Sequence, residues 1–391
     1  MHGIKIGSVP FTPEEAGYES EYLNRLNEFI SRMIDDKIIQ GASYHFMRFG
    51  KLFANNALGA LDYRDEAKAL LPDSIMRVAS ITKDFTAVAI FQLAERGYIN
   101  INDPVAMHLP EFDTSVHKGI TVYNLLTHTS GLQPDWGAFE EPYYNDLINH
   151  IDTFEGNWIK ASLTKPPFCK PNTQWAYSTM GFAYLGEIIS RISGKTAEDF
   201  ITENIAEPLG MTDTFFEVPE DKAGRVIVNT EWALPRTKAE NEKRTAKHHE
   251  KLEYKDFHIP ATGGGIYSSL NDLNIFSQMM HSGGKFNGVR IIGRKSVENL
   301  IHPHLNGQNL RNYCWGADEV HDCGLGFEVM NYKPFNQMSV GTYGHEGAGV
   351  SWSYVDPKEN FIASMFLPYY NGQFNIIPIH RTKYVVWSGL L

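Results

Sequence analysis

The segment that most restricts the fold of this 391-residue chain runs from Ser80 to Gly97 and reads SITKDFTAVAIFQLAERG. It is helix-forming, apolar on most of its faces, and followed by a glycine, the residue best suited to end a helix. A helix that is apolar nearly all round has to be enclosed by other elements. The rest of the chain must therefore supply packing layers on several sides of it. With 42% hydrophobic and 21% charged residues, the composition is that of a chain that can build such a core, not a disordered one.

The flanking patterns indicate what those layers are. Residues 21 to 35 place Leu23, Leu26, Phe29, Ile30 and Met33 at helical spacing. Two β-like runs follow, Ala42–Phe49 and Lys51–Ala57, parted by Gly50 as in a hairpin. Residues 105 to 255 carry helical periodicity and loops, for example Leu185, Ile188, Ile189 and Ile192 ahead of the stop signal Gly194. A charge-dense stretch between Pro235 and Lys255 reads as a solvated loop or helix. Towards the end, Val340–Tyr343, Val350–Val355 and Phe361–Leu367 read as strands. Strands early, helices in the middle and strands late predict an α+β fold whose sheet is assembled from both chain ends. No repeat at a fixed period interrupts this order.

Charge and cysteine content exclude several functions. Lys and Arg number 35 against 46 Asp and Glu, a formal net charge of −11, so the basic footprint of a nucleic-acid or anionic-membrane binder is missing overall. No apolar run approaches the roughly 20 residues of a membrane span. The opening residues MHGIKIGSVPFTPEEAGY hold no apolar signal segment. Cys169, Cys314 and Cys323 are too few for a disulfide framework and form no CxxC pair. These features lead to the expectation of reduced thiols in a cytoplasmic protein. His248-His249-Glu250 and His302-Pro-His304 are the densest histidine clusters, but neither has metal-site spacing and HExxH is absent. No metal and no cofactor is expected. GxSxG, a P-loop and a strand–helix GxGxxG are missing as well.

What remains is a serine–lysine pair. Ser80 and Lys83 are three residues apart, which on a helix puts them on one face. A serine hydroxyl becomes a good nucleophile when a neighbouring base takes its proton. Lysine can be that base when burial lowers its pKa, and the apolar turns after Lys83 provide burial. Ser80 at the helix start would also bring free backbone N–H groups to a developing oxyanion. The spacing alone is weak, since Ser115/Lys118, Ser162/Lys165 and Ser282/Lys285 share it and about one occurrence is expected by chance. Lys118 is followed by Gly119, Lys165 by Pro166-Pro167 and Ser282 by Gly283-Gly284. Only Ser80 opens an uninterrupted helix.

The run MRVASITKDFTAVAI around Ser80, with Leu125-Leu-Thr-His128-Thr-Ser-Gly-Leu132, resembles the class C β-lactamase-like serine hydrolases. That superfamily includes penicillin-binding D,D-peptidases, family VIII carboxylesterases, D-aminopeptidases and related transesterases. Pro208-Leu-Gly-Met211, the segment Gly263-Gly-Gly-Ile-Tyr-Ser-Ser-Leu-Asn-Asp272 and Gly324-Leu-Gly-Phe327 match in the same order. The resemblance runs from about residue 20 to 367. It implies a β-lactamase/transpeptidase-like fold, with an antiparallel sheet flanked by helices and a mostly helical lobe inserted. Residues 1–104 and 256–391 would together form the sheet lobe and 105–255 the helical one, with the active site at their seam.

The resemblance also implies a tyrosine on a loop of the helical lobe and a Lys/His-x-Gly on a core strand. Tyr177-Ser178-Thr179 fits the first, 97 positions after Ser80. There Tyr177, its pKa lowered by Lys83, would shuttle a proton between Ser80 and the leaving group. Ser269-Leu-Asn271 competes for this role but reads as a helix N-cap. His345-Glu346-Gly347-Ala348 fits the second, with Gly347 allowing close approach of substrate. By the same analogy the oxyanion hole is the backbone N–H of Ser80 and of Ala348, and His345, Gly347 and Thr179 contact substrate. His128 is expected to hold a loop. Two departures stand out: Thr179 occupies a place where β-lactamases and peptidases have Asn, and His345 occupies that of the β-lactamase Lys. The charge offered to a β-lactam carboxylate is then only fractional near pH 7.

The function expected is a serine hydrolase with an acyl-enzyme on Ser80, cleaving small or medium acyl esters. A D,D-peptidase, D-aminopeptidase or β-lactamase-like amide hydrolase is the alternative, as is a transacylase. A non-catalytic module on this fold would be expected to lose Ser80, Lys83 or Tyr177. The partner is a small ester or amide, with no nucleic acid and no membrane span.

Overall fold

A computed structural model of the chain describes residues 2–135, 147, 150–250, 252–305, 311–312, 321–330, 337–348, 350–372 and 377–391. The hairpin expected at Gly50 forms between β2 (Gly41–Arg48) and β3 (Lys51–Asp62), the latter running five residues past Ala57. Phe49 and Gly50 both adopt positive φ, 51° and 73°. That is the pattern of a tight turn whose twist matches its strands. Strand β1 (Lys5–Ile6) and β4 (Asp65–Ala69) both pair with β3. The C-terminal part contributes β5 (His321–Cys323), β6 (Glu328–Met330), β7 (Tyr343–Gly347), β8 (Ser351–Asp356) and β9 (Phe361–Phe366). The sheet order is β1-β3-β2-β9-β8-β7-β6-β5, antiparallel throughout, so the N-terminal hairpin pairs with the last strand of the chain. Strand β7 begins at Tyr343, later than the expected Val340, because Gly341 turns the chain at φ 90°.

Both faces of the central strands are covered, which is why β2, β8 and β9 are buried almost without alternation. Helices α1 (Ser20–Asp35) and α6 (Ile377–Trp387) pack on one face, where Leu26, Ile30, Val386 and Trp387 meet Tyr44, Phe46, Trp352 and Phe361. The opposite face receives α5 (Leu270–His281), capped by Ser269, whose hydroxyl accepts from Asp272 N–H as the N-cap reading expects. Behind α5 lies α2 (Thr82–Glu95), buried from Thr82 to Leu93, with Gly97 in the left-handed conformation at its end. Its other sides meet α3 (Thr179–Ser193), which ends at Gly194, φ 72°. One apolar cluster therefore runs from Ile362 and Phe366 of the sheet through Phe276 and Phe85 to Leu125, Phe182 and Ile189.

Between 105 and 255 the described residues are helices, turns and loops, with the two-residue strand Gln174–Trp175. The charged stretch forms helix α4 (Lys238–His249), capped by Thr237. Among the described residues no helix is long and apolar enough to cross a membrane.

The contact that ties α2 to the sheet layer is the stack of Phe85 on Phe276, ring centroids 4.0 Å apart. Phe276→Ala removes a buried ring at this junction and is expected to lower unfolding free energy by about 3–5 kcal/mol. Urea denaturation followed by circular dichroism checks this, and a loss under about 1 kcal/mol would mean the junction is not close-packed.

Candidate active site

Ser80 lies in a 3₁₀ turn, Ala79–Ile81, immediately before α2 and not in the α-helix itself. The chain enters that turn through Ala79, a buried alanine at φ 48°. A non-glycine residue rarely adopts this conformation, and such strain is kept only where surrounding packing imposes it. One turn further on, Lys83 is fully buried. Its Nζ donates to Ser80 Oγ at 3.0 Å, to Thr179 Oγ1 at 3.2 Å and to the Gly263 carbonyl at 2.7 Å. Burial pushes the Lys83 pKa down to about 8, against the opposing pull of Asp135, Asp84 and Glu328.

Two threonines of α2 aim the Gly263 carbonyl at Lys83. Thr82 Oγ1 accepts from Ile266 N–H at 3.1 Å, and Thr86 Oγ1 donates to the Thr262 carbonyl at 2.8 Å. The loop between those anchors is pressed onto Thr179: a Cβ on Gly263 would lie 2.5 Å from Thr179 Cγ2. Only glycine fits there.

Tyr177 sits beside this cluster, its ring stacked on His128 with centroids 4.2 Å apart. His128 holds the loop as expected. Its Nδ1 accepts from Ser178 N–H at 3.1 Å, its carbonyl accepts from Ala176 N–H, and its own backbone is at φ 55°. The Tyr177 hydroxyl is buried with no hydrogen bond within 3.5 Å, yet Ser80 is near enough to favour its ionised form. Burial and the nearby Asp135 prevail and push the phenol well above its ordinary value of 10. This reverses the expectation that Lys83 lowers it. The Lys83 Nζ faces the Tyr177 ring, 4.8 Å from its centroid, and donates its hydrogen bonds elsewhere.

Thr179 opens α3 and is clamped by Asp135, whose carboxyl accepts from Thr179 N–H and from Thr179 Oγ1, both at 2.5 Å. The threonine hydroxyl thus donates to Asp135 and accepts from Lys83, so it is already engaged. Burial raises the Asp135 pKa while Lys83 and Thr179 oppose the rise.

The third element is the end of β7. A Cβ at Gly347 would lie 2.2 Å from the Val78 carbonyl oxygen, so the close approach this glycine permits is to the chain leading into the Ser80 turn. Ser351 Oγ donates to the same carbonyl at 3.3 Å. Ala348 follows as an exposed residue. His345 is buried, its ring centroid 6.3 Å from that of Tyr177. Its Nδ1 lies 2.6 Å from the Glu346 carbonyl and 3.6 Å from Glu328 Oε1. Burial lowers the His345 pKa, Glu328 opposes and Lys83 reinforces the shift, so less positive charge is available than an ordinary histidine would give.

The structure brings Ser80, Lys83, Tyr177 and Thr179 into one cluster, with His345 and Gly347 on the adjoining strand. Sequence reasoning passed over Asp135, Thr82, Thr86 and the Gly263 carbonyl. A signal existed for the threonines: two hydroxyls at i and i+4 on an otherwise apolar helix need buried partners. Cys169 and Cys323 are free thiols, and Cys314 lies outside the described residues. Among the described residues, no group of three His, Cys, Asp or Glu side chains is placed to hold a metal ion.

Residues 26–372 match the family model described as Beta-lactamase. Protein Rv1367c of Mycobacterium tuberculosis is 26% identical over 360 residues, covering 85% of this chain and 86% of that protein. A penicillin-binding protein homolog from Caulobacter crescentus superposes with a TM-score of 0.73 at 19% identity, over 99% of this chain and 100% of that one. A family VIII carboxylesterase superposes with a TM-score of 0.68 at 20% identity, over 96% and 99% of the two chains.

The packing of Gly347 on Val78 makes a direct test of how the site is assembled. Gly347→Ala forces the strand off Val78 and the Ser80 turn and is expected to destabilise the protein by about 1–3 kcal/mol. Ala348→Gly, one residue on and exposed, is expected to change stability by less than about 1 kcal/mol. Equal thermal midpoints for Gly347→Ala and wild type would contradict the contact.

Proposed function

Because the chain belongs to the beta-lactamase family, we propose that it is a serine hydrolase forming an acyl-enzyme on Ser80, with small or medium carboxylic esters as substrates. The observation that carries this reading is the 3.0 Å contact of a fully buried Lys83 amine with Ser80 Oγ, at a pKa brought down to about 8. A base poised near neutrality is what activation of a serine needs. On this reading residues 1–104 with 256–391 form one lobe, 105–255 the other, and Ser80 and Tyr177 meet at the seam.

Neutral Lys83 accepts the Ser80 proton as Oγ bonds to the ester carbonyl carbon, giving a tetrahedral oxyanion. Backbone N–H groups of Ser80 and Ala348 stabilise that oxyanion. Tyr177, a neutral phenol beside Ser80, donates its proton to the departing alkoxide and regains one from the Lys83 ammonium. The acyl–serine ester then remains. Water attacks it, one of its protons passes to Lys83, and as the intermediate collapses the Lys83 ammonium returns that proton to Ser80 Oγ while the carboxylic acid leaves. An alcohol in place of water would make the same site a transacylase.

Esters rank above β-lactams and peptides for two reasons. The Thr179 hydroxyl, bonded to Asp135 and Lys83, is not free to read an acylamino side chain. His345 offers little positive charge to a substrate carboxylate.

Hydrolysis of p-nitrophenyl butyrate, measured beside nitrocefin and a D-Ala-D-Ala peptide, ranks these classes. The ester is expected to have the highest kcat/KM, and Ser80→Ala to lose roughly 10⁴-fold or more of it. Turnover of the ester by Ser80→Ala at the wild-type rate would remove Ser80 as the nucleophile.

A further inference from the structure

On the sheet face away from Ser80, four buried or half-buried polar side chains connect the C-terminal helix to the back of His345. Lys383 of α6 is fully buried and bonds Glu346 of β7 through Nζ. The same Nζ lies 3.4 Å from the Tyr354 hydroxyl of β8 and 4.5 Å from its ring centroid. Tyr354 donates its one proton to Glu328 Oε2 of β6 at 2.5 Å, although Glu346 Oε1 is also within 3.4 Å. Gly344, between Glu328 and Tyr354 in the register, has no side chain to separate them. The other Glu328 oxygen is the one 3.6 Å from His345 Nδ1.

The direction of each proton follows from these partners. A carbonyl can only accept, so the 2.6 Å contact with the Glu346 carbonyl places hydrogen on His345 Nδ1. With Nδ1 committed, Glu328 at 3.6 Å makes a Coulombic approach but not a hydrogen bond. What keeps Glu328 there is Tyr354, and what keeps the Tyr354 proton on Glu328 is Lys383, which satisfies the competing Glu346 carboxylate.

We propose that Lys383, Glu346 and Tyr354 are positioning residues that hold Glu328 off His345, so that His345 keeps the Nδ1–H tautomer and presents Nε2 to the site as a hydrogen-bond acceptor. This rests on the reading of Ser80 as the nucleophile and refines its substrate class. The favoured ester carries a hydroxyl or amide N–H donor near the scissile bond, and a free carboxylate at that place is rejected. The groups facing His345 are Lys83 from α2, Glu328 from β6, Glu346 from its own strand, the Tyr177 ring, and His128. Of these, Glu328 and Glu346 favour a charged imidazole while Lys83 disfavours it. Relaxing the hold on Glu328 therefore raises the affinity of His345 for a proton.

Long-range ¹H–¹⁵N correlation spectra of histidine-labelled protein read the tautomer directly, with His345→Gln assigning the resonance. The expected wild-type result at pH 7 is a neutral ring protonated on Nδ1. Tyr354→Phe and, separately, Lys383→Met are expected to move the His345 titration to higher pH. A matched ester pair, one ending in a hydroxyl and one in a carboxylate, gives the second readout. Wild type is expected to favour the hydroxyl ester in kcat/KM, and His345→Lys to shift that ratio towards the carboxylate ester by about tenfold. A wild-type ring protonated on Nε2 or doubly protonated at pH 7 overturns the proposal without any variant having to fold. So does an unchanged titration in both Tyr354→Phe and Lys383→Met. Failure of a fluorophosphonate to label Ser80 would instead sink the hydrolase reading, since the spectra do not depend on turnover.

Discussion

The buried amine of Lys83 is the point on which the rest of the site depends. An ammonium taken out of water is unfavourable unless its donors are satisfied, and a half-satisfied one shifts its pKa. Here three acceptors converge on it from three parts of the chain: Ser80 Oγ from its own turn, Thr179 Oγ1 from α3 and the Gly263 carbonyl from the loop before α5. Satisfying Lys83 is therefore the same event as assembling the site. The result is a base depressed to about 8, poised between a stable ion and a free amine.

The surrounding architecture makes that convergence rigid. Helix α2 is enclosed on all sides, and its two threonines clip the glycine loop on either side of Lys83. Asp135 clamps Thr179, His128 supports Tyr177, and Gly347 lets the edge of β7 lie directly on Val78. Each contact fixes a backbone or a ring, and together they place the reactive groups within a few ångströms without disulfides or metal ligands among the described residues. Burial has a second consequence: Tyr177 is driven towards the neutral phenol and His345 towards the neutral imidazole. The same desolvation that favours the free amine of Lys83 favours the phenol of Tyr177 over the phenolate.

Much of this was legible from residue order. The all-round apolar character of 80–97 required an enclosed helix, and Ser80 was the only serine of its spacing to open one. The hairpin at Gly50, the stop at Gly194 and the cap at Ser269 depend on local chemistry, and local chemistry survives folding. The direction of the Tyr177 shift was not legible, because it depends on how much water reaches the hydroxyl and on where Lys83 aims its protons. Asp135 was missed for a related reason. Its partner, Thr179, is 44 positions away, and nothing in Gln133-Pro134-Asp135 marks a buried carboxyl. Gly347 was read as room for substrate when its neighbour is Val78, a distinction that only the paired strands reveal.

The most direct test of Lys83 as the base is the pH dependence of covalent labelling of Ser80 by a fluorophosphonate, followed by peptide mass spectrometry. Labelling reports activation of the hydroxyl without requiring the right substrate. The second-order rate is expected to rise with pH through a single midpoint near 8, the value to which burial brings Lys83, and to collapse in Lys83→Met. A rate that is flat from about pH 6 to about pH 10, or one that Lys83→Met leaves unchanged, would contradict the central role of the buried amine.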